Sequence, residues 1–323
     1  MSAPVLRIRD LAVTFDTPMG PLQAVRGVDL DVDVGELVAV VGESGSGKSV
    51  SFLAAMGLLP RSARVSGSVL LDGQELVGAS AKSMRSVRGR VMSMIFQDPL
   101  SALNPVHRVG DQIAEMLQSH QRLSRKAAHV RAVDLLETVG IPQPGDRAMQ
   151  FPHEFSGGMR QRVVIAMAIA NSPKVLVADE PTTALDVTVQ AQILEVIQKV
   201  QKQFGTAVVL ITHDLGVVAR VCNRVNVMYA GRVVERADIV DLFDRPTHPY
   251  TSGLLSSLPH DGADRLTPIA GFPPNMLRPP SGCAFRERCP NAVERCSAAL
   301  PELRLIGRSF SACLRADELV APQ

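Results

Sequence analysis

Short apolar runs alternate with longer amphipathic stretches along the first 235 residues. Leu37–Val41, Val175–Ala178 and Ala207–Thr212 are mostly apolar runs, and such runs are typical of strands buried on both faces. Helical periodicity follows the first run, from Lys48 to about Leu59, and separates the other two, over residues 187–203. Strand, helix and strand in alternation predict an α/β fold with a largely parallel sheet.

Two further regions depart from this alternation. Residues 100–172 have a mostly helical pattern that prolines interrupt, which predicts a helical subdomain at about residues 98–170. Prolines become dense after about Glu235, and this density is typical of loops and short elements. We therefore expect a core domain over residues 1–235 and a C-terminal extension over residues 236–323.

The composition suits a folded chain that does not span a membrane. Hydrophobic residues make up 46% of the 323 positions, and the formal net charge is +2, so no strong basic excess points to nucleic acid. The N-terminus lacks the apolar stretch of a signal peptide, and no apolar run approaches the ~18 residues of a spanning helix. We expect any membrane role to be peripheral and to depend on partner chains.

A glycine-rich turn joins the first buried strand to the helix that follows it. It has the pattern G-x4-G-K-S and consists of Gly42, Glu43, Ser44, Gly45, Ser46, Gly47, Lys48 and Ser49. Glycines let successive backbone N–H groups turn toward one anion, and the helix N-terminus adds the positive end of its dipole. The pattern predicts an ATP site in which Lys48 reaches the β- and γ-phosphates and Ser49 binds Mg²⁺.

Two carboxylates end the second buried strand. Asp179 and Glu180 directly follow Val175–Ala178. An aspartate at this place in a P-loop enzyme holds the Mg²⁺ shell, and a carboxylate one residue further on can polarise the attacking water as a general base. The alternative is that both acids only interact with the dipole of a following helix, and the phosphate loop makes this the weaker interpretation.

A second glycine-rich turn precedes the apolar helical stretch Val163–Ala170. In Phe155–Arg162, Ser156 is a good helix N-cap, and Gly157 and Gly158 leave backbone N–H groups open at the helix start. The segment resembles the signature of ABC ATPases, with methionine where glutamine is commoner. The resemblance implies that Ser156 and Gly158 contact the γ-phosphate of a nucleotide held by a partner subunit, and that Gly157 belongs to the same nucleotide-binding segment.

The same resemblance implies roles for four more residues. Gln97 resembles the Q-loop glutamine, which contacts Mg²⁺ or its water, and His213 resembles the switch histidine that hydrogen-bonds the γ-phosphate. Asp186, in Ala184–Asp186, resembles the D-loop at the subunit interface. Phe15 is a candidate for stacking on adenine, with a place in the core as the alternative.

Three phrases are similar to one branch of the ABC family, the ATPases of dipeptide and oligopeptide importers. They are Gln97–Pro105, Phe155–Arg162 and the His-Pro-Tyr element in Arg245–Thr251. The resemblance implies a cytoplasmic heterodimer with a sister ATPase on the inner face of the plasma membrane, two membrane permeases and an extracytoplasmic solute-binding protein.

Two alternatives to peptide import remain open. Nickel importers share this architecture, and the ATPase does not touch the solute, so the sequence favours peptides only by resemblance. Soluble ABC ATPases of DNA repair or translation usually carry coiled coils or two cassettes. This chain has one cassette and no sustained heptads, so a non-transport ATPase is the less favoured alternative.

Four of the five cysteines, Cys283, Cys289, Cys296 and Cys313, have the spacing C-x5-C-x6-C-x16-C. A chain that is not secreted normally keeps its thiols reduced, so the clustering indicates a metal site before a disulfide framework. Four thiolates suit Zn²⁺ or a [4Fe–4S] cluster. The tail resembles that of dipeptide-importer ATPases with a [4Fe–4S] cluster, which favours the cluster, and free thiols are the third possibility. Cys222 lies apart and is expected to be buried.

Overall fold

The structure, a computed structural model, describes residues 3–183, 185–258 and 268–320. Within these residues the strands are β1 (Leu6–Thr17), β2 (Gly20–Val32), β3 (Leu37–Val41), β4 (Ala63–Leu71), β5 (Gln74–Glu75), β6 (Met92–Ile95), β7 (Val175–Asp179), β8 (Ala207–Thr212), β9 (Arg224–Tyr229), β10 (Arg232–Asp238), β11 (Arg304–Ile306) and β12 (Ser309–Ser311). The helices are α1 (Lys48–Ala55), α2 (Ala81–Val87), α3 (Pro99–Ala102), α4 (Val109–His120), α5 (Arg125–Thr138), α6 (Pro144–Ala148), α7 (Gly157–Ile169), α8 (Val187–Phe204), α9 (Leu215–Val221), α10 (Ile239–Asp244), α11 (Pro249–Ser256), α12 (Arg295–Ala298) and α13 (Ala316–Val320).

The elements predicted from apolar runs are confirmed. The strands β3, β7 and β8 occupy the predicted positions and are buried along their whole length. The helix α8 also matches its periodicity. The helix α1 ends at Ala55 rather than near Leu59, because Met56 caps it and Gly57 follows with a left-handed φ of 59°.

The predicted helical region divides into the short and medium helices α3 to α7. Prolines mark several of the starts: Pro99 begins α3, Pro144 begins α6 and Pro152 begins a single 3₁₀ turn. Proline suits the first turn of a helix, where its missing N–H would have no partner within the helix.

Contacts divide the chain into two compact units. The first comprises residues 1–5, 32–36 and 79–210, and the second comprises residues 6–31, 37–78 and 211–323. The first unit contains the helices α2 to α8 and the parallel pair β6 and β7, in which Met92 lies opposite Val175 and Ile95 opposite Ala178. This register brings the residues that follow both strands to the same edge.

The second unit contains strands of both orientations. An antiparallel sheet of order β2-β1-β4-β5 forms one part. Elsewhere β3 pairs in parallel with β9, and β10 pairs antiparallel with both β9 and β12. The expected largely parallel sheet is therefore a mixed one. The antiparallel pairings of β10 with β9 and β12 come from sequence that has no run as distinctive as a doubly buried strand.

The extension consists of short elements, as its proline content predicted. It contains the helices α10 to α13 and the hairpin of β11 and β12. Its aromatic residues pack on a side chain of the core strand β9, since the ring of Tyr229 lies 4.6 Å from that of Tyr250 and 5.3 Å from that of Phe285. The boundary proposed at residue 235 stays a prediction.

Candidate functional site: predicted nucleotide-binding residues in each unit

The phosphate loop, residues 42–49, lies between β3 and α1 in the second unit. Gly45 and Gly47 adopt left-handed φ angles of 77° and 96°, which residues with a side chain rarely adopt. A Cβ atom at Gly42 would lie 2.1 Å from the carbonyl oxygen of Met228. Gly47 is the N-cap of α1 and gives it no side-chain cap, so the first N–H groups of α1 are not taken by its own cap residue.

Lys48 supplies the positive charge of this loop. Its side chain is buried, and its Nζ donates to the carbonyl oxygens of Gly42 at 2.7 Å and Glu43 at 3.0 Å. The buried Ser46 Oγ has no hydrogen-bond partner among the described residues. A bound phosphate group would offer acceptor oxygens to both side chains. The loop therefore fits the group that its sequence predicts.

The carboxylates at the end of β7 belong to the first unit. Asp179 is buried and ends the strand, whereas Glu180 is half-buried with a left-handed φ of 45°. The Glu180 Oε2 accepts hydrogen bonds from Gln97 Nε2 at 3.1 Å and Thr183 Oγ1 at 2.9 Å. The parallel register of β6 and β7 explains the hydrogen bond between Gln97 and Glu180, because Gln97 follows the end of β6 and Glu180 follows the end of β7. Two residues assigned separately from sequence are thus hydrogen-bonded.

The signature segment forms the start of α7, also in the first unit. Ser156 is the N-cap, and its Oγ accepts from the backbone N–H of Met159 at 3.4 Å. Ser156 and Gly157 are exposed. A Cβ atom at Gly158 would lie 2.5 Å from Val189 Cγ1, so the approach of α8 requires glycine here. The helix start is accessible to an anion and has no lysine beside it.

Three other predicted residues have defined positions. Asp186 is the N-cap of α8, with its Oδ1 accepting from Val189 N at 2.9 Å, so a structural role accompanies the predicted interface role. His213 is exposed directly after β8, and Phe15 is half-buried on β1. Ala184, which begins the predicted D-loop, lies outside the described residues.

The predicted nucleotide residues therefore divide between the two units. The first unit holds Gln97, Ser156, Gly157, Gly158, Asp179, Glu180 and Asp186. The second unit holds Phe15, His213 and the phosphate loop. Their assigned roles stay predictions.

The four tail cysteines line one small cavity of the second unit. Burial raises the pKa of the Cys283 thiol to about 11 and raises the pKa of Cys289 and Cys313. A metal ligand must be a thiolate, so metal binding here would release these protons. Over residues 3–183, 185–258 and 268–320, no group of three or more His, Cys, Asp or Glu side chains is arranged to hold a metal ion. This geometry does not support the expected [4Fe–4S] cluster or its Zn²⁺ alternative. Cys222 is buried, as expected.

A contact between the extension and the phosphate loop was not foreseen from the sequence. Arg288 donates to both carboxylate oxygens of Glu43, at 2.7 Å to Oε2 and 2.9 Å to Oε1. Tyr250, from the His-Pro-Tyr element, accepts from the backbone N–H of Glu43 through its hydroxyl at 2.9 Å. The His-Pro-Tyr element was a visible signal, but nothing in the sequence distinguishes Arg288 from its arginine neighbours.

The His-Pro-Tyr element is anchored by a buried acid. Glu235 on β10 accepts from Thr247 N and Oγ1, each at 2.7 Å, and from His248 N at 2.9 Å. Burial raises the pKa of Glu235 despite these bonds. His248 caps α11 by accepting from Tyr250 N at 3.1 Å, and burial lowers the pKa of its ring to about 3. The neutral imidazole is the form that can accept this hydrogen bond.

Among the residues that the structure describes, no helix is long and apolar enough to cross a membrane. The fold is similar to a solved dimeric ATP-binding cassette, MJ0796, in a post-hydrolysis state bound to ADP and Pi. The TM-score is 0.65 at 26% identity, over 72% of this chain and 98% of that one. This similarity and the mixed α/β architecture define an ATP-binding cassette of the ABC type.

Sequence comparisons place the chain more narrowly. The ABC transporter family model matches residues 25–183, and the model for the oligopeptide/dipeptide transporter C-terminal region matches residues 234–296. The dipeptide transport ATP-binding protein DppD of Bacillus subtilis is 53% identical over 302 residues, which are 92% of this chain and 90% of that protein. The chain belongs to the ABC transporter family, in its oligopeptide and dipeptide transporter branch.

A mycobacterial relative is longer than this chain. The oligopeptide transport ATP-binding protein OppD of Mycobacterium tuberculosis is 53% identical over 320 residues, which are 98% of this chain and 52% of that protein. The chain therefore spans about half the length of this relative.

Proposed function

We propose that this chain hydrolyses ATP to power the import of dipeptides or oligopeptides through a membrane transporter. The match of residues 234–296 to the oligopeptide/dipeptide transporter C-terminal region carries the transport part of this proposal. The hydrogen bond between Gln97 and Glu180 carries the hydrolytic part, because it sets a carboxylate beside the residue assigned to the metal shell.

Within the site we assign each residue by the chemistry it offers. Lys48 and the backbone N–H groups of the phosphate loop hold the phosphates, and Phe15 stacks on adenine. Ser49, Gln97 and Asp179 hold Mg²⁺, which neutralises charge on the β- and γ-phosphates when bound.

Glu180 takes a proton from the attacking water as general base. The bond from Gln97 orients its carboxylate, and Thr183 holds the same oxygen. His213 donates a hydrogen bond to the γ-phosphate.

Ser156, Gly157 and Gly158 serve the nucleotide of a partner ATPase, and Asp186 lies at that interface. The proposed complex is a heterodimer with a sister ATPase, bound at the cytoplasmic face of the membrane to two permeases and supplied by a solute-binding protein. Nickel import by the same architecture is the alternative.

We also propose that Cys283, Cys289, Cys296 and Cys313 bind a [4Fe–4S] cluster, with Zn²⁺ as the alternative. The shared cavity and the resemblance of the tail support this proposal, although binding requires the thiols to lose protons and converge. Iron, sulfide and zinc content of protein purified without oxygen tests it. A content of about four irons per chain would support the cluster. One zinc per chain would support the Zn²⁺ alternative. The absence of both metals would exclude both alternatives.

The transport proposal is tested in proteoliposomes that contain the chain, its sister ATPase and the permeases, with ATP inside and the solute-binding protein outside. We expect uptake of a radiolabelled short peptide that stops when Lys48 is changed to Met. Uptake of Ni²⁺ and no uptake of peptide would support nickel import in place of the proposed peptide import. ATP hydrolysis without uptake of either solute would favour a non-transport ATPase.

A further inference from the structure

Glu43 is the acidic residue of the phosphate loop, and the extension holds its side chain. The guanidinium of Arg288 makes two hydrogen bonds to the Glu43 carboxylate, at 2.7 and 2.9 Å. The Arg288 side chain is only 5% exposed and that of Glu43 is 27% exposed. A two-point contact of this kind fixes orientation as well as distance.

The extension also holds the backbone of Glu43. The hydroxyl of the buried Tyr250 accepts from Glu43 N at 2.9 Å. The carbonyl of the same residue accepts from Lys48 Nζ at 3.0 Å. Glu43 therefore connects two residues of the extension to the lysine that is assigned to the phosphates.

The residues that contact Glu43 are themselves well supported. Arg288 donates through Nε to the carbonyl oxygen of Ala270 at 2.9 Å, and its guanidinium lies 5.8 Å from the ring centre of Tyr229 and 5.9 Å from that of Phe285. Contacts of this kind limit the rotamers that a positioning side chain can adopt. The extension thus offers Glu43 a prearranged partner.

An unpaired carboxylate in a loop that receives a triphosphate would oppose binding, because like charges repel strongly where water is partly excluded. We infer that Arg288 is a positioning residue for ATP. By pairing with Glu43, it neutralises this negative charge in the phosphate loop and fixes the loop conformation in which Lys48 can reach the phosphates. The inference rests on the proposed ATP site and adds that ATP affinity depends on the C-terminal extension.

A charge-coupling experiment tests this inference on the full chain. The dissociation constant of a fluorescent ATP analogue with Mg²⁺ is measured for wild type, Arg288→Gln, Glu43→Gln and the double variant. We expect Arg288→Gln to weaken binding roughly tenfold, because removing one partner leaves a partly buried charge unpaired. In the double variant no carboxylate remains, so affinity should return to within about threefold of wild type.

The affinity of folded protein distinguishes positioning from a merely structural role. If Arg288 only stabilised the fold, Arg288→Gln that is fully folded would bind ATP as tightly as wild type. Arg295→Gln is the matched control, since Arg295 pairs with Glu318 in the same extension at an exposed site, and its ATP affinity should equal that of wild type.

Two results would overturn the inference: unchanged affinity in Arg288→Gln, or a double variant as weak as that single variant. Thermal unfolding checks that each variant is folded. If Arg288→Gln does not fold, Arg288→Lys replaces it, and its affinity must fall between wild type and a Lys48→Met variant. Wild-type protein that binds no ATP would instead contradict the proposed function.

Discussion

The phosphate loop and the signature segment are both glycine-rich turns before a helix, but they equip their helices differently. The helix α1 begins after Gly47, without a side-chain cap, and carries the buried Lys48. The helix α7 begins after Ser156, whose Oγ accepts from Met159 N. The first turn therefore places a lysine ammonium among its backbone donors, whereas the second offers a serine hydroxyl and backbone donors, and the guanidinium of its Arg160 donates to the carbonyl oxygens of Pro152 and His153.

This difference indicates how tightly each turn can bind a nucleotide without a second subunit. A cation and several N–H groups suit tight binding of a triphosphate within one chain. The hydroxyl of Ser156 uses an oxygen lone pair for Met159 N, so its own O–H can still donate to an anion. A donor set without a lysine suits a nucleotide that another subunit already holds, as the ABC resemblance implies.

The largest expected effect is on the chemical step, which is distinct from the nucleotide binding assigned to the two turns. Changing Glu180 to Gln should lower ATP turnover by about 10²–10⁴-fold, because an amide cannot take a proton from water. Its amide oxygen can still accept from Gln97 and Thr183, so ATP binding should persist and a nucleotide-bound dimer with the sister ATPase should accumulate. Turnover and nucleotide retention are measured on the heterodimer.

The exposed Glu137 on α5 provides a matched control. Glu137→Gln makes the same change of charge and volume away from the site and should leave turnover at the wild-type value. Near-normal turnover in Glu180→Gln would show that the general-base assignment is wrong.

An intermediate effect tests the contrast between the two turns directly. Lys48→Met should weaken ATP binding by the isolated chain about tenfold to a hundredfold, the loss expected for a hydrogen bond from a charged group. Ser156→Ala should leave that binding unchanged and lower turnover only in the heterodimer. Equilibrium binding to the isolated chain and turnover by the heterodimer are compared.

Each of these variants has a control of the same type. Lys202→Met removes an exposed lysine of α8, and Ser124→Ala removes the N-cap of α5, where Oγ accepts from Ala127 N at 3.2 Å. Both variants should match wild type in ATP binding. Ser124→Ala should also lower the free energy of unfolding by ~1 kcal/mol, because it removes a helix cap. Weakened ATP binding by isolated Ser156→Ala would contradict the division of roles.

The smallest expected effect concerns the extension that holds the phosphate loop. The folded pKa of His248 is about 3, against an unfolded value of about 6.5. Its contribution to stability is therefore present above pH ~6.5 and is lost as the pH falls toward 3, by at most ~1.4 kcal/mol per pH unit. His248→Asn should reduce this pH dependence, since the Asn oxygen can accept from Tyr250 N and does not titrate.

Urea unfolding at pH 7 and pH 5 measures this effect. The control is His107→Asn, at an exposed position, which should keep the wild-type dependence on pH. Identical pH dependence in wild type and His248→Asn would exclude His248 as the source.

Much of the fold was predictable because its signals are local. The runs at β3, β7 and β8 consist of consecutive buried residues, and a buried strand requires little beyond its own apolar side chains. The antiparallel sheet of β1, β2, β4 and β5 was harder to predict, because half-buried strands of mixed polarity depend on their neighbours.

The sequence by itself determined the parts of the nucleotide site whose residues are consecutive. The phosphate loop and the turn before α7 take their geometry from glycines and helix starts, and the acids at the end of β7 take theirs from the strand. Backbone conformation over a few residues is sufficient for each of these, so the order of residue types predicts the local structure.

Only the tertiary structure decided which distant residues meet. Arg288 and Glu43 are 245 positions apart, and no periodicity or spacing connects them. The four cysteines illustrate the same limit, since their spacing indicated a metal site, whereas only the packing of the extension decides that all four line one small cavity. Contacts between distant residues depend on how the intervening elements pack, which the order of residue types does not specify locally.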